Sequence, residues 1–171
     1  MKYFIIIGII LISFGNYNCQ RKTLDTVKEV DLNKYVGLWY EIAILPNSFE
    51  KGCKCTSAEY QVSNNGYIKV INKCQKIHSL SKIEGKAFVV KNSGNAKLKV
   101  QFFWPFKADY WIVELDKQYQ WAAVGNESRK YLWILSRRPV LSDSIYVNIL
   151  EKLYAKGFYT SKMLKTVHDC K

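Results

Sequence analysis

Histidine is scarce in this chain, with two among 171 residues, and so are proline (three) and glycine (nine). The low glycine and proline content excludes collagen-like and low-complexity architectures. His78 and His168 stand apart, one in an expected loop and one in the tail, with no serine or cysteine partner nearby in sequence. A nucleophilic triad therefore has no evident base. A G-x-S-x-G elbow, a phosphate-binding glycine loop and a His/Cys metal cluster are all missing, so the chain is expected to be no enzyme and to need no cofactor. No apolar run reaches the ~20 residues of a membrane-spanning helix. No 10–15-residue helical pattern separates the strand-like segments, which argues against βαβ units. Acidic side chains are also few, 14 against 26 Lys and Arg, for a formal net charge of +12.

What is present is a globular balance, 49% hydrophobic and 15% aromatic, too apolar for a disordered chain and of a length that one all-β domain accommodates. At the N-terminus Lys2 precedes the apolar run from Tyr3 to Phe14, and the polar stretch Gly15-Asn16-Tyr17-Asn18 leads to Cys19. That is the layout of a secretory signal peptide, which predicts removal of residues 1–18. The site resembles the lipid-attachment cysteine of bacterial lipoproteins, although Tyr17 and Asn18 are not the small residues usual before it. Cys19 as a lipid anchor, with an outer-membrane or periplasmic location, and plain secretion both follow from this layout. Residues 19–30 show no sustained period and read as a tether, leaving 31–171 as the folded domain. Cys53, Cys55, Cys74 and Cys170 remain, an even number that predicts two disulfides in an exported protein, in any of three pairings. The C-x-C spacing of Cys53 and Cys55 is not the C-x-x-C of zinc sites, and no metal is expected.

Eight short runs rich in β-branched and aromatic residues follow, at about 38–45, 56–62, 67–73, 83–90, 97–104, 109–115, 120–125 and 131–136, separated by turn signals such as Asn64-Asn65-Gly66 and Asn92-Ser93-Gly94-Asn95. They predict an eight-stranded antiparallel up-and-down barrel or a sandwich. Lys97-Leu98-Lys99-Val100-Gln101-Phe102 alternates cleanly, one face wet and one dry. Arg137-Arg138-Pro139 ends the last strand. A single helix is expected from Ser142 to Lys156-Gly157, packed outside the barrel on a stripe of Ile145, Ile149, Leu150, Leu153 and Tyr154. The tail from Phe158 looks extended.

Three segments in order, Gly37-Leu38-Trp39-Tyr40-Glu41-Ile42-Ala43, Leu115-Asp116-Lys117-Gln118-Tyr119-Gln120-Trp121-Ala122 and Tyr131-Leu132-Trp133-Ile134-Leu135-Ser136-Arg137-Arg138-Pro139, resemble the signature of the lipocalin family. Their wording is similar to its bacterial lipocalin and apolipoprotein D branch in particular. The resemblance covers residues 31–165. It implies an eight-stranded up-and-down barrel with Trp39 plugging the closed end beneath the guanidinium of Arg137. Gly37 would allow the close turn after a short helix at Asp31–Tyr35, and Asp116 and Tyr119 would organise a closed-end turn. The branch also implies a Cys55–Cys170 disulfide, with Cys53–Cys74 as the remainder; an exchanged pairing stays open because Cys53 and Cys55 point the same way in a strand.

Counting alternately from Trp39 and taking the dry face of each strand, the interior should hold Ala43, Ala58, Tyr60, Ile68, Val70, Leu98, Val100, Phe102, Tyr131 and Trp133, with Tyr110 and Ile112 inward on a strand apolar at both parities. Small Ala43 and Ala58 would leave room for a ligand, and an apolar, aromatic lining with a few hydroxyls suits a greasy small molecule. The parity of Glu41 puts it inside, where an unpaired carboxylate is expensive; a pairing near the bottom of the barrel is its expected role, a ligand-head contact the second. The open end should comprise Leu45–Lys51, Lys73–Lys82 and Phe103–Ala108, with Trp104-Pro105-Phe106 either an exposed patch that touches membrane, gates entry or joins two copies, or a structural turn filled by aromatics. The lysines alternate around the whole barrel, which reads as a solvated surface that favours anionic lipid and not as a nucleic-acid site. The expected function is binding and storage or transport of lipophilic molecules, fatty acids and lysophospholipids, in the cell envelope. A lipocalin-fold enzyme and a ligand-free envelope interaction protein are the alternatives.

Overall fold

The computed structural model describes residues 23–76 and 78–170, so the expected signal peptide and Cys19 lie outside the described residues. Eight antiparallel strands run β1 (Gly37–Ile44), β2 (Lys54–Val62), β3 (Ile68–Lys76), β4 (Ser79–Val89), β5 (Lys97–Gln101), β6 (Ala108–Leu115), β7 (Trp121–Gly125) and β8 (Leu132–Ser136). Each pairs with its chain neighbour, and β1 joins β8 on one side and β2 on the other, which closes the barrel. A short helix α1 (Leu32–Tyr35) precedes β1, α2 (Asp143–Ala155) follows β8, and a two-residue strand β9 (Leu164–Lys165) adds to the edge of β1.

Each face of the sheet carries its own apolar cluster. Trp39, Tyr60, Val70, Leu98, Ile112, Val124 and Leu135 meet inside the barrel. Ile42, Trp111, Val113, Ala123 and Ile134 meet outside, against Tyr146, Ile149 and Leu153 of α2 and against Phe158. The helix thus explains why β6 to β8 are apolar at both parities: both of their faces are dry. The expected helical stripe is turned slightly about its axis. Tyr146, Ile149 and Leu153 are buried, whereas Ile145 and Tyr154 are exposed at 41% and 72%. The helix stops as its sequence suggests. Gly157 takes φ +83, its N–H reaches Tyr154 O, and the Phe158 N–H reaches Leu153 O, a Schellman closure with Leu153 and Phe158 in one apolar cluster.

The second half of the expected tether is part of the packed structure. Leu24 and Val30 are buried, and the N–H groups of Val27 and Val30 donate to Ile112 O and Gly94 O. Gly94 has φ +58, and a Cβ there would lie 2.0 Å from Lys28 O, so glycine alone lets the segment pass so close. Few periodic residues mark this stretch, because one strap crossing a barrel has no neighbour to alternate with.

Pairing of β1 with β2 runs only from Gly37↔Tyr60 to Tyr40↔Ser57. Above that level the C-terminal tail bridges the two strands. Ala43 pairs with Lys165 and Ile44 with Leu164, the Thr166 N–H donates to Ile42 O, and the Cys55 N–H donates to Val167 O. The disulfides are Cys55–Cys170, which pins the end of this bridge to β2, and Cys53–Cys74, the pairing that the resemblance implies. The fifth strand ends at Gln101, earlier than the expected 104, because the chain turns at Phe102–Phe106 around Pro105.

Candidate ligand-binding site

The barrel's closed end is built around one cation. The Arg137 guanidinium carbon lies 3.8 Å from the Trp39 ring centroid. Its nitrogens donate to the carbonyls of Leu38 (2.8 Å), Lys34 (2.7 Å), Tyr35 (3.1 Å), Val36 (3.0 Å) and Tyr119 (3.3 Å). Several of these are carbonyls that the end of α1 leaves without a helical donor, so a single side chain both caps the helix and covers the indole. The Trp39 Nε1–H donates to Tyr35 O at 2.7 Å, and Gly37 takes φ +97 in the turn between them. Asp116 Oδ2 accepts from the N–H groups of Gln118 and Gln120, while Tyr119 Oη accepts from the Asp31 N–H.

Above Trp39 a rung of hydroxyls crosses the lumen: Tyr35 to Tyr110 and Tyr110 to Tyr60, each 2.8 Å. Burial pushes all three phenols above their ordinary range, so they remain protonated. Three hydroxyl protons serve two bonds, and one is left to donate elsewhere.

A carboxyl pair forms the next level. Glu41, 4% exposed, faces inward on β1 and accepts from Thr166 Oγ1 at 2.5 Å. The carboxyl of Glu50, from the loop between β1 and β2, lies within hydrogen-bonding reach of it, and Trp133 Nε1 donates to Glu50 Oε1 at 3.1 Å. Burial, then the hydrogen bond and charge of Glu50, push the Glu41 carboxyl up to about 9. Glu41 therefore finds its pairing with Glu50 in the upper lumen, not near the bottom as its motif position suggested. At the mouth Tyr131 stacks on Trp133 with centroids 6.1 Å apart, and Phe49 lies 5.7 Å from Tyr131. Phe103, Trp104 and Phe106 project from the loop between β5 and β6, at 68%, 86% and 76% exposure.

Of the expected lining, Tyr60, Ile68, Val70, Leu98, Val100 and Ile112 are buried in the inner cluster, with Ala58, Phe102, Tyr110 and Trp133 packed against it. Tyr131 reaches only the rim and is 39% exposed. Ala43 is a correction. A bulge between Glu41 and Ala43 shifts the register against β8, so Ala43 pairs with Ile134 and joins the outer cluster under α2. The added residue inverts the alternation beyond it, and nothing in Glu41-Ile42-Ala43 announces it. Sequence reasoning missed Glu50, which no period marks, and Tyr35, whose role depends on α1 lying across the barrel's end. It also missed Asn72, although a polar residue at the inward parity of Ile68 and Val70 was a readable signal.

One triad with metal-ligand chemistry exists among the described residues, Cys55, Asp169 and Cys170, but its two sulfurs are bonded to each other. A cleft of about 500 Å³ lies outside the barrel, between Thr23–Asp25, Ser128–Arg129 and the end of α2, and shares no residue with the expected lining.

The raised Glu41 carboxyl makes stability depend on pH. The folded chain holds a proton that the unfolded chain releases above about pH 4.5, so unfolding free energy should fall as pH rises from about 4.5 to about 9. The slope contributed by Glu41 approaches about 1.4 kcal/mol per pH unit within that window. Urea midpoints of the wild type and of Glu41→Gln, which keeps the acceptor for Thr166, should diverge steadily toward high pH; parallel curves would refute the assignment.

An eight-stranded barrel plugged by an indole at one end and ringed by aromatics at the other has the architecture of a small-molecule binder. The lipocalin-like domain family matches residues 30–168. The chain belongs to the lipocalin family, whose fold supports binding of small hydrophobic ligands. It is 38% identical to the outer membrane lipoprotein Blc of Vibrio cholerae over 146 residues, covering 84% of this chain and 85% of that one. It is 41% identical to apolipoprotein D of Macaca fascicularis over 144 residues, covering 80% and 76%. Among solved structures, insecticyanin from the tobacco hornworm Manduca sexta superimposes with a TM-score of 0.71 at 22% identity, covering 85% of each chain, a likeness of fold alone.

Proposed function

We propose that this lipocalin binds and stores or carries lipophilic molecules, fatty acids and lysophospholipids, within the cell envelope, as a binding protein and not an enzyme. The observation that carries the reading is the continuous apolar inner face from Ile68 and Val70 across Leu98 and Val100 to Trp133, set between a plugged floor and an aromatic mouth. An acyl chain threaded past such a mouth exchanges water for apolar contact at about 0.8 kcal/mol per buried methylene. Relatives named outer membrane lipoprotein support an exported protein of the outer membrane or periplasm. Cys19 would tether the mature chain to the membrane after removal of residues 1–18, so that the exposed Trp104 and Phe106 meet lipid where ligand enters.

Native mass spectrometry of protein purified from its own cells, followed by lipid extraction, should recover a bound lipid, and a fluorescent fatty acid should bind in the micromolar range. Recovery of no lipid together with no uptake of the probe would overturn the proposal. Sedimentation of the same sample reports whether the Phe103–Phe106 loop pairs two copies.

A further inference from the structure

The lumen's polar atoms are unbalanced. Among the described residues, Asn72 Oδ1, Thr56 Oγ1 and Asn47 Nδ2 are buried without a hydrogen-bond partner, and Glu50 Oε2 has none apart from the Glu41 carboxyl. Two of the four can only accept, and a hydroxyl accepts as well as donates. Thr56 is 9% exposed and lies two residues before inward-facing Ala58 on β2; Asn72 stands opposite Ala58 on β3. Glu50 leans on Glu41 and Trp133 and raises the neighbouring Tyr60 phenol. Thr56 and Asn72 thus stand on the neighbouring strands β2 and β3, and Glu50 meets the Glu41 carboxyl of β1. Among the described residues, the groups at the Glu41 carboxyl and carbonyl are Glu50, the Thr166 hydroxyl and the His168 ring, whose Nε2 meets Glu41 O at 2.6 Å, with no lysine or arginine acting on the carboxyl. A buried acceptor without a donor is a standing penalty that a ligand donor would relieve.

We infer that the Glu41–Glu50 pair is a head-group subsite that takes the primary ammonium of a lipophilic amine in preference to an ionised carboxylate. The inference rests on the lipophilic-ligand reading and sharpens it. A pair holding one proton carries one negative charge, which matches one ammonium. Three ammonium hydrogens would be shared among Glu50 Oε2, Asn72 Oδ1 and the Thr56 hydroxyl, which have no donor outside the carboxyl pair. A fatty-acid anion would instead face two carboxyls with no cation, and would have to keep its head at the mouth among the rim lysines. The chain's overall charge works the other way: a formal net charge of +12 attracts the anion, so any preference for the amine must arise locally.

The test is calorimetric titration of the delipidated full-length protein at pH 7 with dodecylamine, dodecanol and dodecanoate, all below their micellar concentrations. Dodecylamine should bind about tenfold or more tighter than dodecanoate, with dodecanol between, as charge-assisted hydrogen bonds outrank neutral ones. Glu50→Gln, in a loop, should bring the amine and the acid to within about threefold of each other; Glu50→Ala, with the unfolding midpoint checked, provides a second removal of the same charge should the first variant not fold. Equal binding of all three amphiphiles, or tighter binding of the acid, overturns the subsite and leaves the lipophilic-ligand reading standing. A preference for the amine that survives in both variants likewise overturns it. Binding of none of the three overturns both readings.

Discussion

Arg137→Ala is expected to lower the free energy of unfolding by about 3 kcal/mol, with a urea midpoint shifted accordingly. The substitution removes contact with the Trp39 face and the donors to five carbonyls, four of them at the end of α1 and the turn into β1. Hydrogen bonds from a charged donor contribute about 1.5–3 kcal/mol each in isolation, but the outer carbonyls can turn to water, so the sum is far smaller than five such bonds. Arg137→Lys should recover only a minor part, because a single ammonium cannot lie flat on the indole and reach several carbonyls at once. A loss of less than about 1 kcal/mol for the alanine variant would show that the guanidinium decorates the closed end without holding it.

Removing Cys55 and Cys170 together should cost up to about 4–5 kcal/mol in the chain-entropy view, since the bond closes a loop with a sequence separation of 115. Cys53–Cys74, with a separation of 21, should cost nearer 3 kcal/mol. The structural consequence distinguishes the two bonds further. Without Cys55–Cys170 the tail that fills the gap between β1 and β2 keeps β9, the amide bonds of Thr166 and Cys55, the contacts of Thr166 and His168 with Glu41, the edge of His168 on Tyr40, and the exposed ion pairs Lys54–Asp169 and Lys165–Asp143. Hydrogen exchange should then report lost protection at Cys55→Ala, its neighbour Thr56 and Thr166, with Ile112 and Val124 in the barrel's core unchanged. Uniform loss across the barrel would mean instead that the tail belongs to the global folding unit.

Several parts of this fold were legible because they rest on local rules. Alternation along Lys97–Phe102 placed Leu98 and Val100 inside, as any pleated strand with one wet face must. Lys156-Gly157 ended α2 because a glycine there accepts the left-handed conformation. The three motifs that resemble the lipocalin signature located the Trp39–Arg137 plug, and the branch they resemble implied the disulfide partners, with an exchange left open. The same alternation misplaced Ala43, because a bulge is decided by how β1 registers on β8, and the residue it adds carries no mark of its own. The helical stripe was read with Ile145 and Tyr154, yet the barrel it docks on selected Tyr146; several apolar faces were available on the same helix, and only the partner surface chooses among them.

The candidate site divides along the same line. Most of its apolar inner face followed from period, Ala43 and Tyr131 excepted, since burial of alternate residues is imposed strand by strand. Its polar chemistry could not. Glu41 and Glu50 are nine positions apart, separated by a loop without period, and meet only because that loop folds over the open end. Thr166 reaches Glu41 from the far end of the chain, because the tail occupies the space that β2 leaves beside β1. What the amino-acid order determined alone was the wall: short alternating strands, their turns, one amphipathic helix and a motif-bearing floor. Which polar groups would be sealed together behind that wall was decided by closure of the barrel, because the energy of a buried carboxyl depends on neighbours brought from distant chain positions and not on its own place in the sequence.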